Sequence, residues 1–388
     1  MSAAPRLLHV FSTFVPAGPE TRTARLVRAL GRRADHAILA IDGRTEATRL
    51  LEGCAARWRL VEPPARAGSL STVLRLRRLL AREPHDLILT YNWGAFDAVM
   101  AAWTRGEARR VVHHEDGFNE DEAEGQLPRR VRARRFFLPK VAQVVVPSAN
   151  LRAIAGTHWR LPPERVSHLP NGIDLAPFAP ADGAPALRAE LGIPRDAVVL
   201  GTVGHLRAVK NIPRLLRAVA PLLRERADLH VVLVGDGAER EHLSAQCDVA
   251  PWRGRVHFAG HRADPAPWYR VFDLFLITSD SEQMPVSLLE AMASSLPVVS
   301  TDVGDVRVML PGEQAGGLVP LGDEQERIDR QLAARIRVFL EDRESARELG
   351  AQNRQFVEER YSFQAMLDGH VAVWERALGR PLPGAASA

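Results

Sequence analysis

Residues Asp273 to Asp302 read DLFLITSDSEQMPVSLLEAMASSLPVVSTD, and their pattern decides the fold. Leu274 to Ile277 is an apolar run of strand length that breaks at the polar Thr278-Ser279-Asp280-Ser281. Pro285 suits a first helical position, where its missing amide proton would be unbonded anyway, and the apolar spacing beyond it predicts a helix. Pro297-Val298-Val299 then opens a second strand. Strand, loop, helix and strand in this order form one unit of a parallel α/β sheet, whose ligands bind at the carboxyl edge. Two carboxylates stand eight residues apart in it, Glu282 on the loop and Glu290 in the helix's second turn. The amides of Met284, Val286 and Ser287 at the helix start would attract an anion, while the carboxylates accept hydrogen bonds from sugar or ribose hydroxyls. The grouping reads as a grip for a nucleotide sugar.

The same alternation runs outward in both directions. Strands are expected at Leu7–Ser12, His36–Ile41, Asp86–Tyr91, Arg110–His114, Ala142–Val146 and Val166–Leu169, with helices at 20–32, 71–81 and 96–103. A second set follows at Ala197–Val203, Leu229–Val234 and Val256–Ala259, then helices at 324–340, 345–359 and 363–378. Such β-α repeats imply doubly wound parallel sheets. The Pro- and Ala-rich stretch after Asn171-Gly172-Ile173-Asp174 reads as a linker, which divides the chain into a first domain 1–172, a linker 173–195, a second domain 196–360 and a crossover helix with a flexible tail, 361–388.

A chain of 388 residues, 46% apolar and 25% charged, fits two ordinary globular domains. Cys54 and Cys247 lie far apart and in no metal-like spacing, which speaks against a disulfide framework or a zinc site. No run reaches the ~20 apolar residues of a membrane span, and the short apolar start is too little for a secretory signal, so a cytoplasmic location is expected. All but Lys140 and Lys210 of the 51 basic residues are arginine, a coding bias before it is a function. The net charge of +4 does not call for a nucleic-acid partner. The acidic stretch EDGFNEDEAE, Glu115 to Glu124, holds no Asp-x-Asp and reads as a solvated loop rather than a metal-chelated diphosphate site. The basic stretch RRVRARRFFLPK, Arg129 to Lys140, has the composition of a segment lying on an anionic membrane, and equally of a helix with its arginines in water.

Glu282 and Glu290, with Ala291-Met292-Ala293 and Pro297-Val298-Val299, resemble the E-x7-E signature of retaining glycosyltransferase family four, which has the GT-B fold. The resemblance extends over about residues 5 to 378 and is carried at three further places. Gly18-Pro19-Glu20 lies on a loop where the family has a glycine pair, with Ala17 in place of the second glycine. His113, at a strand end and in the spacing H-x-x-D with Asp116, matches the family's histidine beside the transferred sugar. Gly204-His205-Leu206-Arg207-Ala208-Val209-Lys210-Asn211 resembles G-R-L-x-x-x-K-[GN], with His205 in the arginine's place. A histidine, mostly neutral at pH 7, cannot supply that arginine's bidentate fork. Gln283-Met284 replace the family's Gly-Phe.

The resemblance implies two Rossmann-like domains facing a central cleft, with the last helix crossing back to the first domain. It implies transfer of a sugar from a nucleotide-diphosphate donor to a glycan or lipid-linked acceptor, with retention and without a metal or other cofactor. Lys210, Gly204, His205, Arg207 and the backbone of Met284, Pro285 and Val286 would then hold the diphosphate, and Gly260, His261 and Arg262 would border the base. Glu290 would take the ribose, Glu282 and His113 the sugar, and Gly18 a close approach of backbone to ligand. Trp268 and Tyr269 read as core. A sugar-nucleotide epimerase of GT-B type, a two-domain binding protein and a non-catalytic homologue are the rival readings.

Overall fold

Runs of Val, Leu and Ile form the strands because both faces of each sheet are covered by helices, and a doubly covered strand needs no polar alternation. The computed structural model of the chain describes residues 3–65, 68–118, 120–122, 125–179, 184–322 and 324–384. The tail expected beyond Pro383 falls, past Gly384, outside these residues. The chain folds into two compact units, one of Met1–Pro170 with Gln364–Ala388, the other of Asn171–Phe363.

The first unit holds strands β1 (Arg6–Phe11), β2 (Asp35–Ala40), β3 (Arg57–Leu60), β4 (Leu87–Tyr91), β5 (Val111–His114), β6 (Gln143–Val146) and β7 (Val166–His168). They lie parallel in the order β3-β2-β1-β4-β5-β6-β7. Helices α1 (Gly18–Leu30), α2 (Ser69–Arg82), α3 (Phe96–Thr104), α4 (Pro128–Phe137) and α5 (Ala149–Thr157) connect them. All five residues of β4 are buried, as are all four of β5 and of β6. Strand β3 was not foreseen. Its sequence, RWRL, carries mostly exposed side chains at the sheet edge, and its arginines pair with Asp35 and Glu83 instead of entering a core.

In the second unit β8 (Val198–Val203), β9 (Leu229–Val234), β10 (Val256–Gly260), β11 (Leu274–Ile277), β12 (Val298–Thr301) and β13 (Leu318–Val319) form a parallel sheet in the order β10-β9-β8-β11-β12-β13. Its helices are α6 (Pro185–Glu190), α7 (Ile212–Glu225), α8 (Arg240–Cys247), α9 (Ala266–Tyr269), α10 (Val286–Ala293), α11 (Val306–Met309), α12 (Gln325–Glu341) and α13 (Arg343–Arg360). The stretch 173–195, expected to be a linker, is largely folded into this unit. Ile173 and Phe178 are buried in its core, and Arg188 on α6 donates to the carbonyls of Ala197 (2.8 Å) and Val271 (2.7 Å). Pro and Ala there encode a short helix and close packing rather than slack chain.

The last helix, α14 (Phe363–Leu378), packs from Gln364 onward in the first unit. Trp374 is fully buried edge-on to His9, and His370 stacks on His114 with ring centroids 5.7 Å apart. Among the described residues no helix is long and apolar enough to cross a membrane.

Candidate functional site

Strands β8 and β11 are neighbours in the sheet but not in sequence, so the strand order reverses between them, and a crevice opens where their following loops part. The loop after β8 runs from Gly204 to Asn211, and the loop after β11 from Thr278 to Pro285. Gly204, His205, Lys210, Glu282 and Ser287 line one cleft there, with Thr278 and Ser279. Four of these were expected to act together on a diphosphate sugar.

The first loop is held down by glycines on its neighbours. A β-carbon on Gly235 would lie 1.9 Å from the Gly204 carbonyl oxygen, and one on Gly237 would lie 2.3 Å from that of Leu206. Glycines at both places let the β8 and β9 loops touch backbone to backbone. Lys210 ends this loop. Its Nζ donates to Glu282 Oε1 at 2.5 Å, and the Ser279 hydroxyl donates to the same oxygen at 2.7 Å. Neither Lys210 nor Glu282 is fully buried, so ammonium and carboxylate meet at the cleft wall, ready to be shared with a ligand. In a chain otherwise almost wholly arginine for its cations, lysine at this one position is itself a signal.

Helix α10 starts at Val286, one residue later than expected, and Pro285 is its cap, with φ −67° and ψ 117°. The reason lies in ψ. Proline fixes only φ, and the extended ψ turns the Pro285 carbonyl to accept from Leu288 N–H (3.1 Å). Glu290, buried one turn inside, accepts from the Tyr269 hydroxyl at 2.6 Å. Burial, with the nearby Glu290 charge, raises the Tyr269 pKa far above its ordinary value, so the phenol stays a donor. Tyr269 and Trp268 are core residues, as their sequence suggested, and the tie to Glu290 is what the sequence did not disclose.

Glu282 is fixed from the far side as well. A β-carbon on Gly304, whose φ is +54°, would sit 2.2 Å from the Glu282 carbonyl oxygen, and Asp305 N–H donates to the Gln283 carbonyl at 2.9 Å. Met284 is buried, and its carbonyl accepts from the Asn171 amide at 3.3 Å. His205 is exposed at the loop tip. Partial burial, and then the charge of Arg207, lower its pKa, so it is neutral at pH 7 and brings no permanent charge. Gly260 adopts φ +75°, with the Arg240 guanidinium above it, and Arg240 pairs with Asp236 at 2.7 Å. His261 beside it is exposed, and Arg262 lies over the Trp268 ring at 4.5 Å.

In the first unit the placements differ from expectation. Gly18 is the first residue of α1 rather than a loop glycine, and a β-carbon there would meet nothing within 4 Å. Pro19, fixed in φ, draws the helix start outward to include it. Glu20, two residues on, is buried, and burial lifts its carboxyl to about 7, with Asp116 adding to the rise. Asp116 itself forms a two-pronged ion pair with Arg22, one bond at 2.8 Å. His113, expected to face a sugar, has no solvent exposure in this structure. Its Nδ1 lies 2.8 Å from the Thr90 hydroxyl, while its Nε2, 3.5 Å from Glu115, makes no hydrogen bond to a described residue, so the ring is enclosed but only half engaged. His114 is equally enclosed, stacked on Tyr91.

The acidic and basic stretches are partners of one another. Arg134, on α4, is fully buried and donates to Glu115 (3.0 Å) and Glu122 (3.3 Å), while Arg130 reaches Glu122 (2.9 Å) and Asp121 (2.5 Å). Trp93, Phe118 and Trp159 surround the Arg134 guanidinium at 5.1 to 5.5 Å. Burial alone would raise the Glu115 carboxyl, but Arg134 and His113 outweigh it and hold the group below its ordinary value. The acidic stretch is therefore not simply solvated, and of α4 the exposed residues are Pro128, Arg129, Arg132, Arg135 and Phe136.

Two parallel-sheet units of this kind, with a phosphate-type crevice at the reversal of the second sheet, define the GT-B architecture. Solved structures agree at the level of fold: a glycosyltransferase from Rickettsia africae superposes with a TM-score of 0.77 at 15% identity, covering 97% of this chain and 99% of that one. Anabaena Alr3699/HepE, solved in complex with UDP, gives 0.76 at 20% identity, covering 94% and 97%. Residues 16–177 match the family model of Glycosyltransferase Family 4, and residues 197–342 that of Glycosyl transferases group 1. The first match falls almost wholly in the first unit and the second in the second unit, so each half of the chain is similar to the corresponding half of glycosyltransferases of these families. A D-inositol 3-phosphate glycosyltransferase of Kineococcus radiotolerans is 35% identical over 206 residues, 46% of this chain and 45% of that protein. The chain spans about half the length of the curated relatives it matches.

Proposed function

We propose that this chain transfers a sugar from a nucleotide-diphosphate donor to a glycan or lipid-linked acceptor in envelope or exopolysaccharide synthesis, with retention and without a metal. The observation that carries the reading is the Lys210–Glu282 pair at the β8/β11 reversal, beside Ser287 in the first turn of α10. Negative charge grows on the departing diphosphate, and Lys210 with the free amides of α10 supplies compensating positive charge already in place. The shared carboxylate of Glu282 accepts from sugar hydroxyls, and Glu290, oriented by Tyr269, from the ribose. The amides and lysine take the part a metal plays at other diphosphate sites. Because Alr3699/HepE was solved with UDP and UDP-glucose, uridine donors are the first to test.

Incubation with uridine, guanosine and adenosine diphosphate sugars should give slow donor hydrolysis with at least one, in the presence of a chelator. Lys210→Ala should reduce it by about 10²- to 10³-fold, the loss seen when one such charge stabiliser is removed. Near-normal turnover in that variant would refute the role of Lys210. Epimerised donor without hydrolysis would favour the rival enzyme, and no change in any donor a binding protein. A lipid-linked acceptor would also bring Arg129, Arg132, Arg135 and Phe136 to an anionic bilayer. Failure of the protein to co-sediment with anionic vesicles would remove that part.

A further inference from the structure

The two loops that carry Lys210 and Glu282 are joined by a set of bonds beneath the cleft, centred on Asp280. The Asp280 N–H donates to the Val209 carbonyl at 2.9 Å, crossing from one loop to the other. Its carboxylate accepts from the Asn211 amide at 3.0 and 3.1 Å, and pairs with the Arg214 guanidinium at 2.7 Å. Arg214 is 4% exposed, although it stands on α7, and its second contact is the Thr278 carbonyl at 2.9 Å. The Thr278 hydroxyl closes the circuit on the carbonyls of Lys210 (3.3 Å) and Asn211 (3.2 Å). Asn211 holds the left-handed conformation, φ 44° and ψ 52°, and its side-chain oxygen caps α7 by accepting from Arg214 N–H at 3.1 Å.

Of the side chains that make this circuit, only Thr278 lines the cleft. Apart from the Asn211 cap on α7, its bonds run from the first loop or the first turn of α7 to the second loop, with Lys210 adjoining Asn211 and Glu282 two residues past Asp280. A buried guanidinium is costly unless it is hydrogen-bonded, and here Nη1 is taken up by Asp280 and Thr278 of the second loop while Nη2 reaches Gln325 at 3.3 Å. We infer that Asn211, Arg214 and Asp280 are positioning residues, a clasp that sets the distance between the Lys210 ammonium and the Glu282 carboxylate for the transfer reaction. The inference rests on the nucleotide-sugar reading of that cleft.

Asn211→Gly and Asp280→Ala isolate the clasp, since glycine keeps the left-handed backbone at 211 without the side chain. Amide hydrogen exchange reads the clasp without any donor. Each variant should speed exchange in both loops, 204–211 and 278–285, while peptides of β8 and β11 stay protected. Where the parent hydrolyses a donor, each variant should lower kcat about tenfold, with KM changed less than twofold. The double variant should be no worse than the worse single one, because either loss opens the same circuit. Arg214→Lys should recover part of the activity lost in Arg214→Gln, since the bonds to Thr278 and Asp280 both leave one nitrogen, Nη1, which an ammonium can replace, while the Nη2 bond to Gln325 is lost. Exchange that rises in only one loop, kcat losses that multiply in the double variant, or losses that follow a fall in Tm would each overturn the clasp. A parent that neither binds nor hydrolyses any donor would refute the nucleotide-sugar reading instead, and the exchange result would still decide the clasp.

Discussion

Glu20 shows how much a single placement can change a residue's chemistry. It occupies the first turn of α1, where a carboxylate is ordinarily welcome, yet burial lifts its pKa from 4.5 to about 7. Between those two values the folded chain binds a proton that the unfolded chain has released, so stability falls as pH rises through the window. The cost at pH 8 is on the order of 3 kcal/mol, from ~1.4 kcal/mol for each pKa unit. Glu20→Gln should therefore be more stable than the parent above pH 7 and equal to it near pH 4.5. Chemical denaturation at a series of pH values checks this, and parallel curves for the two proteins would rule it out. Lys210, Glu282 and Glu290 could be picked out from the sequence because spacing and neighbouring motif mark them. Asp280 and Arg214 could not, because their importance lies in which loop each touches, and a lone charge in a loop or on a helix is everywhere in this sequence.

At the scale of elements, glycines divide into those that packing demands and those it does not. Gly304 combines φ +54° with a β-carbon position 2.2 Å from the Glu282 carbonyl oxygen, and backbone cannot yield as a side-chain tip can. Gly304→Ala should cost about 1–3 kcal/mol of stability through strain and overpacking, and should shift the Glu282 loop enough to lower turnover. Gly18→Ala, with nothing within 4 Å, should leave stability within about 0.5 kcal/mol of the parent. Thermal melts of both variants test the contrast, and equal melting points would show that the close approach is not limiting. The sequence had suggested the opposite emphasis, since Gly18 follows the first strand while Val303-Gly304-Asp305-Val306 reads only as the start of a short helix. Strands and long helices were legible to within two residues because burial on both faces leaves a continuous apolar run. Strands β3 and β13 and the paired arginines of α4 were not. Strand β3 is an edge whose charges hide its strand character, β13 is only two residues long, and α4 buries guanidinium groups that composition places in water.

Over the molecule as a whole, acid sensitivity should be uneven between the two units. The first unit encloses His9, His36, His114 and His370, and burial lowers all four, His36 to about 4 and His370 to about 3. His9 lies 3.0 Å from both His36 and the Tyr91 hydroxyl, a chain that two charged rings would disrupt. In the second unit buried His230 falls to about 4 and half-buried His257 is lowered, fewer such rings than in the first. A depressed histidine leaves the folded state neutral while the unfolded chain gains a proton below about 6.5, so stability is lost as pH falls through that value. Each such proton contributes up to ~1.4 kcal/mol per pH unit. Glu20 works in the opposite sense from 4.5 to 7, one proton against those of these four and of His85, which burial also lowers. The histidines outweigh Glu20 between pH 4.5 and about 6.5, so the net slope there is positive with pH and the first unit loses stability as the solution is acidified. Hydrogen exchange followed from pH 7 to 4, corrected for intrinsic rates, should show β1, β4 and β5 losing protection before β8, β9 and β11. Loss in the second unit first, or in both at one pH, would mean that the buried imidazoles do not govern acid unfolding, and removing one of them by His370→Gln should then leave the midpoint of the first unit unmoved.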